Sequence, residues 1–360
     1  MGCRCWGIGR GRGLIQYTGM IAYKYRSGRG TKDKEGKDVF ERDIELLSRD
    51  TIYVPTVNQL NDPSEALVDD NVFKAQLSLF ELFVSKEVVR RVEKSYYNIR
   101  ERIRSAGIYS LSKEIQNELM WAYYANGHNG YAIIFDTEIL LRSFKQGKWV
   151  YLYDFDVNYS KRLPRFKLPP EDDKNIFTCL VGTKSKAWEH EAEHRLLFDK
   201  GGVELKIDYR AIKGIVFGCR MPDEDIDYVM KTFSGRDFEY YKIAKSDYSY
   251  KLTVERLKDR YPTTEKYSPN NVTYNIEELL EADKYIGCVG YKYRKHVQAA
   301  LKEVSREPFV TGISHIVVTD DKEYPHILIW TNKKQDGVVA PMRSFEFDVI
   351  EGEIVRTEAS

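Results

Sequence analysis

Residues 186–198 read Lys-Ala-Trp-Glu-His-Glu-Ala-Glu-His-Arg-Leu-Leu-Phe, and the period of this stretch decides fold and chemistry together. Wound as a helix, it puts His190 and His194 one turn apart with Glu191 beside them. That is the HExxH spacing, which sets two imidazoles on one metal ion and a carboxylate base next to the bound water. Extended as a strand, it projects Glu189, Glu191, Glu193 and Arg195 to one face. His190, Ala192, His194, Leu196 and Phe198 then take the other face. In that case the carboxylate row is the candidate site and the histidines are packing residues. The flanks favour the strand, because a buried metal-binding helix needs uncharged residues in and around the motif, and Glu193 and Arg195 violate that. A strand without a bound metal is the expectation.

The stretch belongs to a chain of 360 residues, long enough for two domains. With 42% hydrophobic and 31% charged residues the composition is that of a soluble globular protein. Lys and Arg number 56 against 55 Asp and Glu, so bulk charge indicates neither a nucleic-acid nor a membrane partner, although a local basic groove is compatible with it. The cysteines, Cys3, Cys5, Cys179, Cys219 and Cys288, are odd in number and scattered, with one C-x-C and no second pair. They form neither a zinc ribbon nor a disulfide framework, and a reducing cytoplasm is the simplest account. No run of 18 apolar residues is present, so no membrane span is expected. Residues 1–19 are rich in Gly and Arg and lack the apolar core of a signal peptide. They read as a disordered leader or as upstream sequence, with Met20 as the expected start.

Further along, residues 20–27 read as a first strand, 28–37 as a polar loop and 51–56 as a second extended piece. At Asn61-Asp-Pro-Ser-Glu65 the residues fit a helix start, with Asp62 as N-cap, Pro63 in the first turn and Glu65 closing a capping box. Residues 73–83 are apolar at helical spacing, and Val89, Val92, Tyr96, Ile99 and Ile103 mark one face of a long helix ending at Gly107. A short strand over 108–112 follows, with Ser112 able to cap a helix over 115–125. Residues 131–136 form a buried strand; a helix over 137–145, a strand over 149–159 and a helix over 172–181 follow. Strands are expected at 203–207, 214–218, 238–244 and 248–254, with a helix over 223–233.

Residues 258–272, which hold Pro262 and Pro269, read as a linker. It separates an α+β domain over 20–257, a split antiparallel sheet with packed helices, from a small domain over 273–360. The small domain reads as helices over 276–282 and 291–304 followed by strands at 313–319, 326–331 and 344–350, again α+β.

A set of motifs in order then carries a resemblance. They are Tyr23-Lys-Tyr-Arg26, Leu60-Asn-Asp-Pro-Ser-Glu65, Ile108-Tyr-Ser-Leu-Ser112, Met120-Trp-Ala-Tyr-Tyr-Ala125, His128-Asn-Gly-Tyr131 leading into Phe135-Asp136, and the 186–195 stretch. Over about residues 20–254 the chain resembles the bacterial and phage family called domain of unknown function 2971. That family's last motif is similar to Trp-x-x-Glu-x-Glu-aromatic-Arg, which falls here on Trp188, Glu191, Glu193 and Arg195. His190 and His194 stand where the pattern is aromatic, so the resemblance implies packing positions for both. The family's name carries no activity.

The ordered set Arg26, Ser110-Leu-Ser112 and Glu191-Ala-Glu193 is in turn similar to the Arg, Ser-x-Ser, Glu-x-Glu set of ADP-ribosyltransferases. This second resemblance implies NAD as substrate and Glu193 as the carboxylate facing an oxocarbenium-like ribose. Glu191 would orient the incoming nucleophile, and Arg26 would clamp the pyrophosphate. Ser110 or Ser112 would hold the glutamate or the nicotinamide ribose, and Tyr123 or Tyr124 would stack on nicotinamide. His128 is read as turn chemistry or as a substrate contact. The kind of protein it resembles implies a role in phage defence or toxicity, on a target the sequence does not name. Two other readings stand beside this one. One is a non-catalytic ligand- or protein-binding module, in which Glu-x-Glu is a solvated face and Ser-x-Ser a cap. The other, disfavoured, is a zinc hydrolase through the histidine pair.

Overall fold

The structure, a computed structural model, describes residues 20–144, 151–165, 173–284, 289–321, 323–335 and 338–357. The leader expected over 1–19, with Cys3 and Cys5, and Cys288 lie outside the described residues. The chain divides into two compact units, the first running to Pro262 apart from short excursions and the second mainly from Thr263 onward.

The first unit is α+β. It comprises β1 Ile21–Arg26, α1 Val39–Ser48, β2 Thr51–Val54, α2 Asn71–Phe80, α3 Lys86–Ser105, β3 Gly107–Ser112, α4 Glu118–Tyr124, β4 Tyr131–Asp136 and α5 Thr137–Phe144. It continues with β5 Tyr151–Asp156, β6 Asn158–Ser160, α6 Asp173–Val181, β7 Thr183–Ser185, β8 Glu193–Phe198, β9 Val203–Lys206, β10 Ile212–Phe217, α7 Asp223–Thr232, β11 Glu239–Lys245 and β12 Leu252–Leu257. Eight strands join in one sheet in the order β12-β11-β10-β4-β1-β3-β8-β5, antiparallel except where β10 meets β11.

The central strand β4 is buried along its whole length, as its unbroken apolar run requires. Helix α3 buries Val89, Tyr96 and Ile103, a seven-residue repeat that keeps one stripe on the core. Tyr96 and Ile103 of that stripe pack with Phe73, Phe177, Leu180 and Leu197. A second core cluster gathers Tyr25, Trp121, Ile134, Val216 and Ile243.

One irregularity matters for function. β1 pairs with β4 over six consecutive positions, but with β3 only at Tyr23↔Ser112. Beyond that pair the two strands diverge, and the sheet opens toward Arg26 on one side and Ser110 on the other.

The second unit contains α8 Ile276–Lys284, α9 Arg294–Val304, β13 Val310–Thr319, β14 His326–Gln335, β15 Val338–Ile350 and β16 Glu353–Thr357. Its strands form an antiparallel meander in sequence order. Leu280, Val297, Leu301 and Val304 of the helices pack on Ile316, Val318, Ile327, Ile329, Phe345 and Phe347 of the strands. Among the described residues no helix is long and apolar enough to cross a membrane.

Several local expectations change. Residues 63–66 form a turn instead of a helix start: Asp62 accepts the Ser64 N–H at 2.9 Å, and Glu65 is drawn to Arg195 instead of closing a capping box. The helix expected from 115 begins at Glu118, capped by Asn117 through the Leu119 and Met120 amides and not by Ser112. Helix α1 has no counterpart in the sequence reading, although Asp38 caps it and Phe40, Ile44 and Leu47 form its buried stripe. Strand β12 starts at Leu252, because Tyr248 and Tyr250 are fully solvated in the preceding loop.

Residues 186–198 divide in two. Residues Lys186–Glu191 make a 3-10 turn, Ala192 adopts a left-handed conformation with φ 43°, and β8 begins at Glu193. The strand expectation therefore holds from Glu193 onward and gives way to the turn before it. Neither arrangement is the helix that the HExxH spacing requires.

Candidate functional site

A cavity of about 340 Å³ lies in the first unit where β1 and β3 diverge. Alternation along β1 sends Tyr23 and Tyr25 to one face of the sheet and Lys24 and Arg26 to the other. The opening lets both rows line the same cleft, with Ser110 and Ser112 across from them. Glu65, Tyr124, Lys184, Glu191, Glu193 and Arg195 form an acidic and basic wall, and Asp43, Tyr53, Leu60 and Met120 are among the other lining residues.

The acidic wall is built by register and by the turn ahead of β8. Pairing of β3 with β8 aligns Ser112 with Glu193 and Ser110 with Arg195, so the four share a face. Glu191 reaches that face because Ala192 reverses the chain. Ser112 Oγ donates to the Glu191 carbonyl at 2.7 Å, and Asn117 Nδ2 donates to the His190 carbonyl at 2.9 Å, pinning the turn. The Glu193 amide donates to Tyr159 Oη at 2.8 Å.

These side chains form one buried ionic network. Arg195, 1% exposed, donates to Glu193 at 2.8 and 3.0 Å, to Glu65 at 2.5 and 2.8 Å, and to the Val181 carbonyl at 2.5 Å. Lys184 lies 2.5 Å from Glu191, 3.5 Å from Glu193 and 3.7 Å from Glu65, with its ammonium 4.9 Å from the centre of the Trp188 ring. Tyr124 donates its hydroxyl to the other oxygen of Glu191.

The two glutamates are thereby driven apart. Burial works against the Glu193 carboxylate, but Arg195 and Lys184 overcome it and hold the group down at about 2. For Glu191 burial prevails: the carboxyl sits above its ordinary range, with Glu193 adding to the rise against the pull of Lys184 and Tyr124. Burial pulls Lys184 downward, yet the two glutamates keep it above the usual lysine value.

At the other end of the cleft stand Lys24, Arg26 and Asp43. Lys24 Nζ spans the gap in the sheet to donate to the Ser110 carbonyl at 2.7 Å, an oxygen that the diverging β1 backbone leaves available. Its ammonium lies 4.7 Å from the centre of the Tyr109 ring. Arg26 Nε lies 3.5 Å from Asp43, which α1 presents. The neighbouring turn holds the end of β1 in place. Asn126, Gly127 and His128 all have positive φ, and a Cβ at Gly130 would fall 2.1 Å from the Arg26 carbonyl oxygen.

Of the residues singled out in the sequence, Arg26, Ser110, Ser112, Tyr124, Glu191 and Glu193 therefore line one cavity. Tyr123 and His128 lie outside its lining. Tyr123 is 66% exposed, on the outer side of α4, and its ring neighbours His190. His128 stacks on Trp121 in the left-handed turn, and burial lowers its pKa. His194 contacts Asp156 at 2.9 Å and Asp154 at 3.4 Å on β5, and His190 sits on the 3-10 turn against Trp188. Among the described residues no group of three histidine, cysteine or carboxylate side chains is placed to hold a metal ion.

Lys24, Glu65 and Lys184 also line the cavity, and none of them stands out as a site residue in the sequence. The first two stand inside quoted motifs, Lys24 between two tyrosines and Glu65 beneath a capping pattern that explained it too readily. Lys184 precedes the last motif and carries no signal of its own.

Comparison with known proteins gives one match. Residues 120–196 match the model of a family described as protein of unknown function (DUF2971), which supports the family resemblance over α4, β4 and the chain through most of β8. No curated protein and no solved structure matches the chain.

Proposed function

We propose that the cleft is the active site of an NAD-consuming, ADP-ribosyltransferase-like enzyme. The observation that carries this reading is convergence. Arg26, Ser110, Glu191 and Glu193, spread over more than 160 residues of sequence, line a single cavity at the opening of the sheet.

The chemistry divides among them. The nicotinamide–ribose bond breaks with its electron pair leaving on nicotinamide, and positive charge develops at the ribose carbon. A fixed, desolvated carboxylate stabilises that charge. Glu193, ionised at all physiological pH values and oriented by Arg195, fills this role. The acceptor must lose a proton as it attacks. Glu191, a carboxylate paired with Lys184 whose proton affinity burial raises, receives it. Arg26 contacts the pyrophosphate, and Tyr124 lies beside the carboxylates where the nicotinamide ring would stack. Defence or toxicity remains the biological setting proposed for such an activity.

The test is release of nicotinamide from NAD, with cell extract as acceptor. Wild type should release it, and Glu191→Gln should slow transfer to the acceptor more than it slows NAD hydrolysis. Failure of wild type to bind or cleave NAD would sink the reading.

A second reading is favoured by one specific feature. Glu193 is shared between Arg195 and Lys184, and Arg195 is also bound by Glu65, so the network is closed on itself. Such closure suits a scaffold that shapes a non-catalytic ligand-binding cleft. NAD or ADP-ribose binding without turnover would select it.

A further inference from the structure

The β1 end of the cleft differs in charge from the acidic wall. Glu65, Glu191 and Glu193 are engaged by Lys184 and Arg195. At the β1 end, Lys24 and Arg26 stand beside Asp43, a carboxylate that also pairs with Arg42 at 2.9 Å. We propose that Lys24 and Arg26 together seat a phosphate or diphosphate group, with Lys24 as the residue that makes the seat selective for it; this rests on the reading of the cleft as a nucleotide site.

Three geometric facts support the assignment. Lys24 and Arg26 are two residues apart on an extended strand, so their side chains leave the same face about 7 Å apart, a span that a diphosphate can bridge. An ammonium has three donors, and the described hydrogen bond of Lys24 uses one of them, on the Ser110 carbonyl at 2.7 Å. Arg26 Nε meets Asp43 at 3.5 Å, beyond ordinary hydrogen-bond length, and the Arg26 side chain retains 25% exposure. A phosphate oxygen would complete both donor sets.

Electrostatics adds a signature. Burial is the main influence on Lys24, and Arg26 acts in the same direction; Glu193 and Asp43, then Glu191, oppose them, and the amine comes down to about 7. An incoming phosphate restores the preference for ammonium. Binding therefore takes up a proton when the free amine is neutral. The site should bind tightly below about pH 7 and lose up to about tenfold in affinity for each pH unit above it.

The experiment is calorimetric titration of the full chain with inorganic pyrophosphate and with ADP-ribose at about pH 6 and about pH 8. Sulfate serves as the control for non-specific anion binding. Wild type should bind both phosphate ligands in preference to sulfate; ADP-ribose, whose diphosphate carries the same charge at both pH values, should bind more weakly at the higher pH and with proton uptake there. Lys24→Met should lose at least about tenfold in affinity at the lower pH. Lys24→Arg, which keeps a donor for Ser110 and is always charged, should bind at both pH values with the pH dependence removed.

Equal affinity in wild type and Lys24→Met, a flat wild-type pH profile for ADP-ribose, or sulfate binding as well as pyrophosphate would overturn the proposal. ADP-ribose binding with the expected profile but no nicotinamide release would uphold the anion seat and defeat the transferase reading. Nicotinamide release with an unchanged KM in Lys24→Met would do the reverse.

Discussion

Replacing Glu193 by glutamine separates the structural part of its role from the chemical part. Glu193 is 5% exposed, and its side chain accepts two N–H groups from Arg195 and lies 3.5 Å from Lys184. Glutamine keeps the size, but it removes the charge and turns an amide donor toward the guanidinium. Arg195 retains Glu65 and the Val181 carbonyl, so the cost falls at the lower end for a broken buried pair, about 3 kcal/mol. The titration shift gives the same order. Holding the carboxyl at about 2 instead of 4.5 corresponds to roughly 3 kcal/mol of native-state preference for the charged form.

The sign follows from linkage. A depressed carboxyl stabilises the fold above its unfolded value and loses that contribution as pH falls toward the folded one. Urea unfolding at about pH 7 should therefore show Glu193→Gln less stable than wild type by about 3 kcal/mol, and the gap should close between about pH 4.5 and pH 2. A variant within about 0.5 kcal/mol of wild type at neutral pH, or a gap that does not change with pH, would refute the ionic account of this wall. Activity measurements on the variant are interpretable only at temperatures where it is shown to be folded.

Glu65→Gln should also destabilise, by about 1–3 kcal/mol, because Arg195 keeps Glu193; an unfolding midpoint equal to wild type would count against the network. Ser112→Ala should impair catalysis or ligand binding more than stability, since it frees the turn that carries Glu191, and a loss confined to stability would argue that the turn is held otherwise. Limited proteolysis should cut within residues 258–272, with the first unit protected; cleavage confined to other segments would contradict a linker there. Metal analysis should find no stoichiometric zinc; one zinc per chain, lost in His190→Ala, would reverse the reading of the 186–198 stretch.

Part of this protein is legible in the residues alone. Tyr131–Asp136 reads as a buried strand because its apolar run is unbroken, and Val89, Tyr96 and Ile103 read as a helix face because their spacing is seven. Both are local periodicities, and burial follows directly from them. The side-chain set Arg26, Ser110, Glu191 and Glu193 was also visible, as types in order along the chain.

Its geometry was not visible. Only tertiary pairing decides that β1 meets β3 at one position and then diverges, and that divergence creates the cleft and admits Lys24 to it. Glu65 has a complete local explanation as a capping residue, and a buried guanidinium 130 positions away outcompetes it, since leaving the NH1 and NH2 edge of Arg195 short of its carboxylate would cost more than an absent capping box. Strand alternation predicted that Glu191, Glu193 and Arg195 share a face; the left-handed Ala192 and the Ser112 contact provide that common face through a turn instead. Local sequence fixes periodicity and residue type. Which charges end up facing each other depends on partners distant in sequence, because in a desolvated cleft the need to pair a buried ion outweighs any local preference.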